Sequence, residues 1–280
     1  MKVIEDLDQR IKEHAEEMAR LTSIRAEAMR DLGEETETSP VVSLQQFLDE
    51  HNTDFDWLIG GSLARGAIAM LAAESGAGKT CLLVQIALCL AAGRDPFYDA
   101  RVTGKFPCLY VAAEGARGAF QNRVDTARKT LGVDKSVGWF IHPPNVTDYK
   151  IGSANLERMI DKSEAKFVVL DTVSHLWTGD ENSSVEWKKG CLQPLLKLVA
   201  KYGCTFMLVH HFVKASQERQ GWQRARGTSA MFSDLDAFYQ LEAVDGDETR
   251  MKRALIQSKN KFSTTRRWDL TFDAVNARFG

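Results

Sequence analysis

The sequence lacks the features of a membrane or secreted protein. No apolar run reaches the roughly 18 residues that a membrane-spanning helix needs, and the longest, from about Leu82 to Ala92, is interrupted by Gln85. The N-terminus is acidic and does not have the basic-then-apolar layout of a signal peptide. We therefore expect a soluble, cytoplasmic protein that has no contact with a membrane.

Cysteine is sparse and follows no metal-binding pattern. The chain of 280 residues has 5 cysteines, an odd number, and none has the C-x-x-C spacing or the neighbouring histidine expected of metal ligands. Several lie in apolar runs, where a free cysteine acts as a small core residue. This pattern favours buried thiols in a reducing compartment.

The composition is that of a globular protein with an uneven distribution of charge. Apolar residues make up 44% and charged residues 26% of the chain, which excludes wholly disordered, collagen-like and low-complexity classes. Residues 1–40 hold 6 Lys or Arg against 11 Asp or Glu, whereas the rest of the chain is net positive. The formal net charge of −2 therefore says little about whether the main domain binds nucleic acid.

The first 32 residues predict a helical arm. They contain no Gly and no Pro, and one stripe repeats at steps of three and four. Its apolar members are Ile4, Leu7, Ile11, Met18, Leu21, Ala28 and Leu32, and His14 and Arg25 occupy the two remaining positions. This stripe is too narrow to form a core by itself. The arm is either a solvated helix packed on its own domain or a segment that docks on a neighbouring subunit or pairs as a coiled coil. Residues 33–41 are a predicted polar linker, so residues 42–280 are expected to form the main domain.

A glycine-rich turn separates a predicted buried strand, residues 67–73, from a predicted helix, residues 81–92. The turn and the first helical residue are Glu74, Ser75, Gly76, Ala77, Gly78, Lys79, Thr80 and Cys81. Backbone N–H groups of such a turn surround phosphate at the positive end of the helix dipole. Lys79 would reach the β- and γ-phosphates, and the Thr80 hydroxyl would bind Mg²⁺. The G-x4-GK[ST] pattern is broken once, since Ala73 occupies the place of its first Gly.

Two further apolar stretches end in a carboxylate. Residues 166–171 predict a strand that ends in Asp171, and residues 106–115 predict one with Glu114 near its tip. Ligands gather at the carboxyl ends of parallel strands, so Asp171 could hold Mg²⁺ opposite Thr80. Glu114 could orient and deprotonate an attacking water. The alternatives are a helix cap or turn for Asp171 and a solvated carboxylate for Glu114.

A fourth predicted strand, residues 203–211, ends in two imidazoles. His210 or His211 could sense the γ-phosphate and pass the signal to the residues that follow, although a strand-end histidine is as often structural. The pair has no third ligand at metal spacing, which disfavours a zinc site.

Taken together, the four strand tips resemble the RecA-like ATPase core. The tips are, in chain order, Gly78-Lys79-Thr80, Glu114, Asp171 and His210-His211. Ala113 before Glu114, Thr172 after Asp171 and the turn Arg226-Gly227-Thr228-Ser229 are similar to the branch of AAA-family ATPases related to the RepA hexameric plasmid helicase. The resemblance covers roughly residues 42–275. It implies ATP and Mg²⁺ as ligands, with Lys79 in the catalytic set, Glu114 as catalytic base, Asp171 on Mg²⁺ and either histidine as γ-phosphate sensor.

The same resemblance implies a homo-oligomeric ring, expected to be a hexamer, or a filament with ATP between subunits. RecA-like rings insert a Lys-x-Lys or Lys-x-Arg pair into the neighbouring ATP site, as an arginine finger does. Lys259 and Lys261 match that pair in chain order and lie two apart, on one side of a predicted strand over residues 254–262. A solvated edge strand protected by lysines is the alternative.

Residues 212–225 are polar, show no clear period and are followed by Arg226. Basic and aromatic side chains occur together here: Lys214, Arg219, Trp222, Arg224 and Arg226. Such a segment suits contact with the backbone of single-stranded DNA and stacking on its bases, and the family's DNA-contacting loop lies in this part of the chain. An ordinary charged surface loop is the alternative.

These observations predict an α/β fold with a mostly parallel sheet flanked by helices, antiparallel C-terminal strands and the N-terminal arm. The expected activity is Mg²⁺-dependent ATP hydrolysis by a ring-forming motor on single-stranded DNA, such as a RepA-like replicative helicase. A recombinase-like filament and a regulatory ATPase without DNA are the alternatives. A small-molecule kinase fits poorly, because no acceptor-binding lid is apparent after the first predicted helix.

Overall fold

A nine-stranded sheet with helices on both faces forms the centre of the fold. The computed structural model describes residues 43–45, 56–144, 149–180, 182–212, 229–249 and 251–280. The chain divides into two units, Met1–Asp54 and Phe55–Gly280, and the fold below is that of the second unit. The predicted arm and linker lie outside the described residues, as do residues 213–228.

The described strands number eleven. They are β1 (Trp57–Ile59), β2 (Leu63–Ala64), β3 (Ile68–Ala73), β4 (Cys108–Ala112), β5 (Trp139–His142), β6 (Phe167–Asp171), β7 (Thr205–His211), β8 (Ala237–Ala243), β9 (Lys252–Asn260), β10 (Arg267–Asp273) and β11 (Arg278–Phe279). β1 and β2 pair with each other, and the other nine form the sheet in the order β11-β10-β9-β8-β3-β7-β6-β4-β5.

The helices connect these strands. They are α1 (Lys79–Ala92), α2 (Arg117–Leu131), α3 (Ala154–Ser163), α4 (Val173–Leu176), α5 (Ser184–Glu186), a π-helical segment (Trp187–Leu192), α6 (Gln193–Tyr202) and α7 (Ser229–Asp234). None of the helices in the described ranges is both long and apolar enough to span a membrane.

Strand direction divides the sheet into two parts. From β5 through β4, β6, β7 and β3 to β8, every neighbouring pair is parallel. From β8 through β9 and β10 to β11, every pair is antiparallel. The predicted mostly parallel sheet with antiparallel C-terminal strands is therefore confirmed. The carboxyl ends of β3, β4, β6 and β7 therefore lie next to one another, at the same end of this sheet.

The core lies on both faces of the sheet, which explains why the central strands are continuously apolar. Successive residues of β3 point to opposite faces. Leu71 packs in a cluster with Leu83 of α1, and Met70 packs in a second cluster with Leu195 of α6. All five cysteines are free thiols, and burial raises the pKa of Cys89 to about 12.

One buried polar residue joins the C-terminal strands to the first helix. Gln85 on α1 is fully buried. Its amide Nε2 donates to the carbonyl of Phe279 at 2.8 Å, and its Oε1 accepts from the Phe279 N–H at 2.8 Å. The residue that interrupts the apolar run of α1 thus holds β11 beside the helix.

Candidate nucleotide-binding site

The carboxyl ends of four parallel strands surround one pocket. It encloses about 670 Å³, and its lining includes residues from the turn after β3 and from the tips of β4, β6 and β7: Gly78, Lys79, Thr80, Glu114, Asp171 and His211. The strands stand side by side in the order β4-β6-β7-β3, so residues far apart in the chain meet here.

The glycine-rich turn adopts the backbone conformation that its glycines predict. Gly76 and Gly78 have φ values of 78° and 102°, which side chains with a Cβ rarely adopt. A Cβ on Gly78 would also lie 3.0 Å from Cζ of Phe279. Ala73, by contrast, is the last residue of β3 and has no positive φ. A methyl group is therefore tolerated at the position where the sequence departs from the phosphate-binding pattern.

The side chain of Lys79 is held over the glycine-rich turn by two backbone carbonyls. Its Nζ donates to the carbonyls of Ala73 at 3.0 Å and Glu74 at 2.9 Å, and lies 3.3 Å from Nδ1 of His211. Burial lowers the pKa of Lys79, an effect that the charges of Asp171 and Glu114 partly offset. A cation withdrawn from water in this way is suited to pair with a phosphate.

Asp171 accepts two hydrogen bonds on one carboxylate oxygen. The Thr80 hydroxyl donates to Oδ2 at 3.0 Å, and the buried Tyr110 hydroxyl donates to the same atom at 2.6 Å. Burial raises the pKa of Asp171, and these two hydrogen bonds oppose the rise. Burial and the nearby Asp171 charge also keep the pKa of Tyr110 well above its usual value.

The residues around Asp171 fit a magnesium ion. A hydroxyl and a carboxylate are the hard oxygen ligands that Mg²⁺ prefers, and Mg²⁺ takes its other ligands from water and phosphate. Thr80 and Asp171 could hold it in this way. No group of three or more His, Cys, Asp or Glu that could hold a metal occurs within the described ranges.

Glu114 lies beside two histidines and a threonine. Its Oε2 is 3.4 Å from the Thr172 hydroxyl, 3.4 Å from Nδ1 of His175 and 3.6 Å from Nε2 of His211. Thr172 and His175 were not among the predicted site residues. Thr172 directly follows β6 as the N-cap of α4, and His175 lies within α4. No motif in the sequence links them to Glu114.

The two histidines at the end of β7 have different surroundings. His211 lines the pocket, between Lys79 and Glu114. His210 is buried, and its Nδ1 lies 3.0 Å from the His211 carbonyl oxygen. Because side chains alternate along a strand, only His211 is brought to the pocket.

Lys259 and Lys261 lie at the opposite end of the sheet, beside the amino ends of the parallel strands. Asn260 pairs with Ala237 at the start of β8, where the parallel strands begin, so the lysines are remote from their own chain's pocket. Lys259 Nζ donates to the carbonyls of Phe232 and Ser233, each at 2.7 Å, at the end of α7. Burial, followed by the charge of Lys261, lowers the pKa of Lys259.

The C-terminal strands also contact the phosphate-binding turn. At the far end of β9 from these lysines, Arg253 Nε donates to the carbonyl of Ala77 at 3.2 Å. Further lining of the pocket comes from α2 and from the end of β10 and the turn after it: Asn122, Arg123, Thr126, Phe272, Ala274 and Val275. Sequence reasoning missed these residues, since neither segment carries a recognisable motif.

The predicted DNA-contacting residues Lys214, Arg219, Trp222, Arg224 and Arg226 lie outside the described residues.

The fold and the pocket define a RecA-like P-loop ATPase. A profile of the AAA domain family matches residues 34–217, and the chain belongs to this family. The chain is similar over 84% of its length to the ATPase domain of G40P, with a TM-score of 0.61, 10% identity and 95% of that chain covered. That likeness concerns the fold.

Two DNA repair proteins are similar to the chain in sequence. The DNA repair protein RadA of Bacillus subtilis (strain 168) is 22% identical over 215 residues, which cover 76% of this chain and 40% of that protein. The DNA repair protein RadA of Brucella abortus (strain 2308) is 24% identical over 245 residues, 86% of this chain and 45% of that protein. The chain thus spans less than half the length of either relative.

Proposed function

We propose that the chain is a Mg²⁺-dependent ATPase that forms a ring on single-stranded DNA, as a RepA-like replicative helicase does. One observation supports the ATPase chemistry above all others. A desolvated ammonium, a hydroxyl–carboxylate pair and a second carboxylate surround one pocket, although they come from the start of α1 and from the ends of two different strands.

Each of these groups has a task in phosphoryl transfer to water. The turn N–H groups and Lys79 bind the phosphates, while Thr80 and Asp171 hold the metal. Mg²⁺ when bound neutralises charge on the phosphate oxygens. Glu114, half-exposed at the pocket, orients a water and accepts its proton.

The position of His211 supports a motor over a simple hydrolase. Its ring contacts both Lys79 and Glu114, and the chain continues from it through Phe212 into residues 213–228, where the basic and aromatic residues lie. A change at the γ-phosphate would alter the contacts of His211 and so act on the start of this segment.

The lysine pair supports action between subunits. Lys259 and Lys261 lie at the end of the sheet opposite the pocket, so they could serve only the pocket of another copy. The charge that they carry would then stabilise the transition state in the neighbouring subunit. A recombinase-like filament is the second candidate, because two similar proteins bear the name DNA repair protein.

The test is ATPase activity with and without single-stranded DNA, combined with mass in solution in the presence of a non-hydrolysable ATP analogue. We expect stimulation by DNA and a mass that stops at a closed ring, and unwinding of a forked duplex. Open-ended growth with stimulation would favour the recombinase. No stimulation would contradict a DNA motor and leave a regulatory ATPase. Lys79→Ala serves as the variant without nucleotide binding.

A further inference from the structure

We infer that His175 positions Glu114 and makes ATP hydrolysis sensitive to pH. The inference rests on the proposed role of Glu114 as general base. His175 Nδ1 lies 3.4 Å from Glu114 Oε2 and 2.9 Å from the Thr172 hydroxyl. The imidazole thus contacts both the carboxylate and a side chain that shares the same carboxylate oxygen.

Packing does not account for this placement. The side chain of His175 is 51% exposed, so it gains little by burial. Its backbone, however, is fixed: the N–H donates to the Thr172 carbonyl at 3.1 Å, and the carbonyl accepts from Lys150 Nζ at 2.6 Å. An exposed ring on a fixed backbone, directed at Glu114, is arranged for a polar contact.

The Thr172 hydroxyl has one proton and three nearby acceptors: His175 Nδ1 at 2.9 Å, Ser174 Oγ at 3.0 Å and Glu114 Oε2 at 3.4 Å. Protonation of His175 removes Nδ1 from this set. A neutral imidazole without a proton on Nδ1 can accept a hydrogen bond from the Thr172 hydroxyl. That hydroxyl has only one proton, so it then cannot donate to Glu114. Protonated His175 is a donor at Nδ1 and no longer accepts that proton. The imidazolium N–H and the Thr172 O–H can then both be directed to Glu114 Oε2, which lies 3.4 Å from each.

This change weakens the base without touching the phosphate contacts. A neighbouring positive charge and donated hydrogen bonds both favour the ionised carboxylate, and so lower its affinity for a proton. A carboxylate with lower proton affinity is a poorer general base. Lys79 and Thr80 do not contact His175, so acidification should reduce turnover more than nucleotide binding.

The charged groups near His175 come from three other parts of the fold. Glu114 faces it from the segment after β4, Lys150 from the segment before α3, and His211 reaches the same carboxylate from the end of β7. His211 is the other imidazole on Glu114, so the experiment must separate the two.

The experiment compares His175→Ala and His175→Asn with the parent chain, from about pH 5.5 to pH 8.5. Alanine removes the contact, whereas the asparagine amide occupies the position of Nδ1 but does not titrate. We expect His175→Ala to lower kcat about fivefold at the alkaline end and to keep the Kd for mant-ATP within about twofold. His175→Asn should recover most of this loss and should not show the parent's decline in kcat on acidification.

Two controls decide the outcome. If His175→Asn declines with pH as the parent does, or if the decline disappears only in His211→Asn, the inference is wrong. Equal loss of kcat and mant-ATP affinity in His175→Ala would mean a merely structural residue and would also overturn it. Glu114→Gln is measured in parallel: if that variant still turns over, the proposed base has failed, whereas an inactive Glu114→Gln leaves His175 to be judged by itself.

Discussion

Nζ of Lys79 lies 3.3 Å from Nδ1 of His211, and the other nitrogen of the same ring lies 3.6 Å from Glu114. The imidazole therefore separates the cation that would bind phosphate from the carboxylate that would activate water. Lys79 begins α1 and Glu114 follows β4, so the ring is the side chain through which either could influence the end of β7.

Glu114→Gln should stop hydrolysis and keep ATP bound. Glutamine has nearly the same shape and can still accept from Thr172, but it is not a base at neutral pH. Loss of a general base costs about 100-fold or more in kcat. Single-turnover hydrolysis and mant-ATP binding measure the two effects. Glu164→Gln, an exposed change at the end of α3, is the matched control, and near-normal turnover by Glu114→Gln would show that another group is the base.

Asp171→Asn should make the nucleotide-free protein more stable while abolishing turnover. The folded pKa of Asp171 is raised above its usual 3.8, mainly by burial. The cost of its charge is therefore full above the folded pKa and shrinks as pH falls toward the unfolded value. We expect Tm to rise by roughly 2–4 °C at pH 8, with the difference shrinking on acidification.

Tyr110→Phe tests how much the hydrogen bond from Tyr110 stabilises the buried Asp171 carboxylate. The substitution keeps the charge and removes the donor at 2.6 Å, so Tm should fall by about the same amount. Half-maximal ATPase activity should also require more Mg²⁺. A Tm for Asp171→Asn below that of the parent at pH 8 would show that the two hydrogen bonds outweigh the cost of burial.

A chain with Lys259→Ala and Lys261→Ala should lose ATPase activity as a pure protein and regain part of it in a mixture. Lys79→Ala protein has a dead pocket but intact lysines, so it can complete the pocket of the double variant. We expect at least a tenfold loss for the pure double variant. Lys252→Ala, an exposed lysine at the start of β9, is the control. Failure to restore activity at any ratio of the two proteins would count against shared sites.

Trp222→Ala with Arg224→Ala should weaken binding to single-stranded DNA. One stacking residue and one phosphate contact would be lost, so affinity should fall about tenfold or more and the salt dependence should become shallower. Fluorescence anisotropy of a labelled oligonucleotide at several salt concentrations measures both. Lys162→Ala removes an exposed charge from α3 and should change neither quantity. Unaltered binding by the double variant would leave the segment without a role in DNA contact.

Local sequence was enough to predict the central architecture. The apolar strands, the glycine turn and the strand-end carboxylates are each contained within a short run of residues, and the structure has them in the predicted places. The bounds differ where local chemistry intervenes. α1 begins at Lys79, two residues early, since Gly78 takes a left-handed conformation. β4 begins at Cys108 and not at Phe106, after Pro107, whose backbone has no N–H to donate to a strand.

The rest of the candidate site depends on which strands are neighbours. Tyr110 reaches Asp171 because β4 pairs with β6, with Ala112 opposite Asp171. His175 reaches Glu114 across the same pair of strands. No spacing within one segment carries that information. The choice between His210 and His211 likewise required the faces of β7 to be assigned.

The hydrogen bonds from Lys259 to two carbonyls near the end of α7 have a consequence for assembly. In the chain alone, its ammonium is already satisfied by the oxygens of Phe232 and Ser233, so an incoming anion must compete with two peptide groups and expose the C-terminus of that helix. If Lys259 acts in a neighbouring subunit as proposed, joining of subunits would require this lysine to exchange the two carbonyls for the incoming anion.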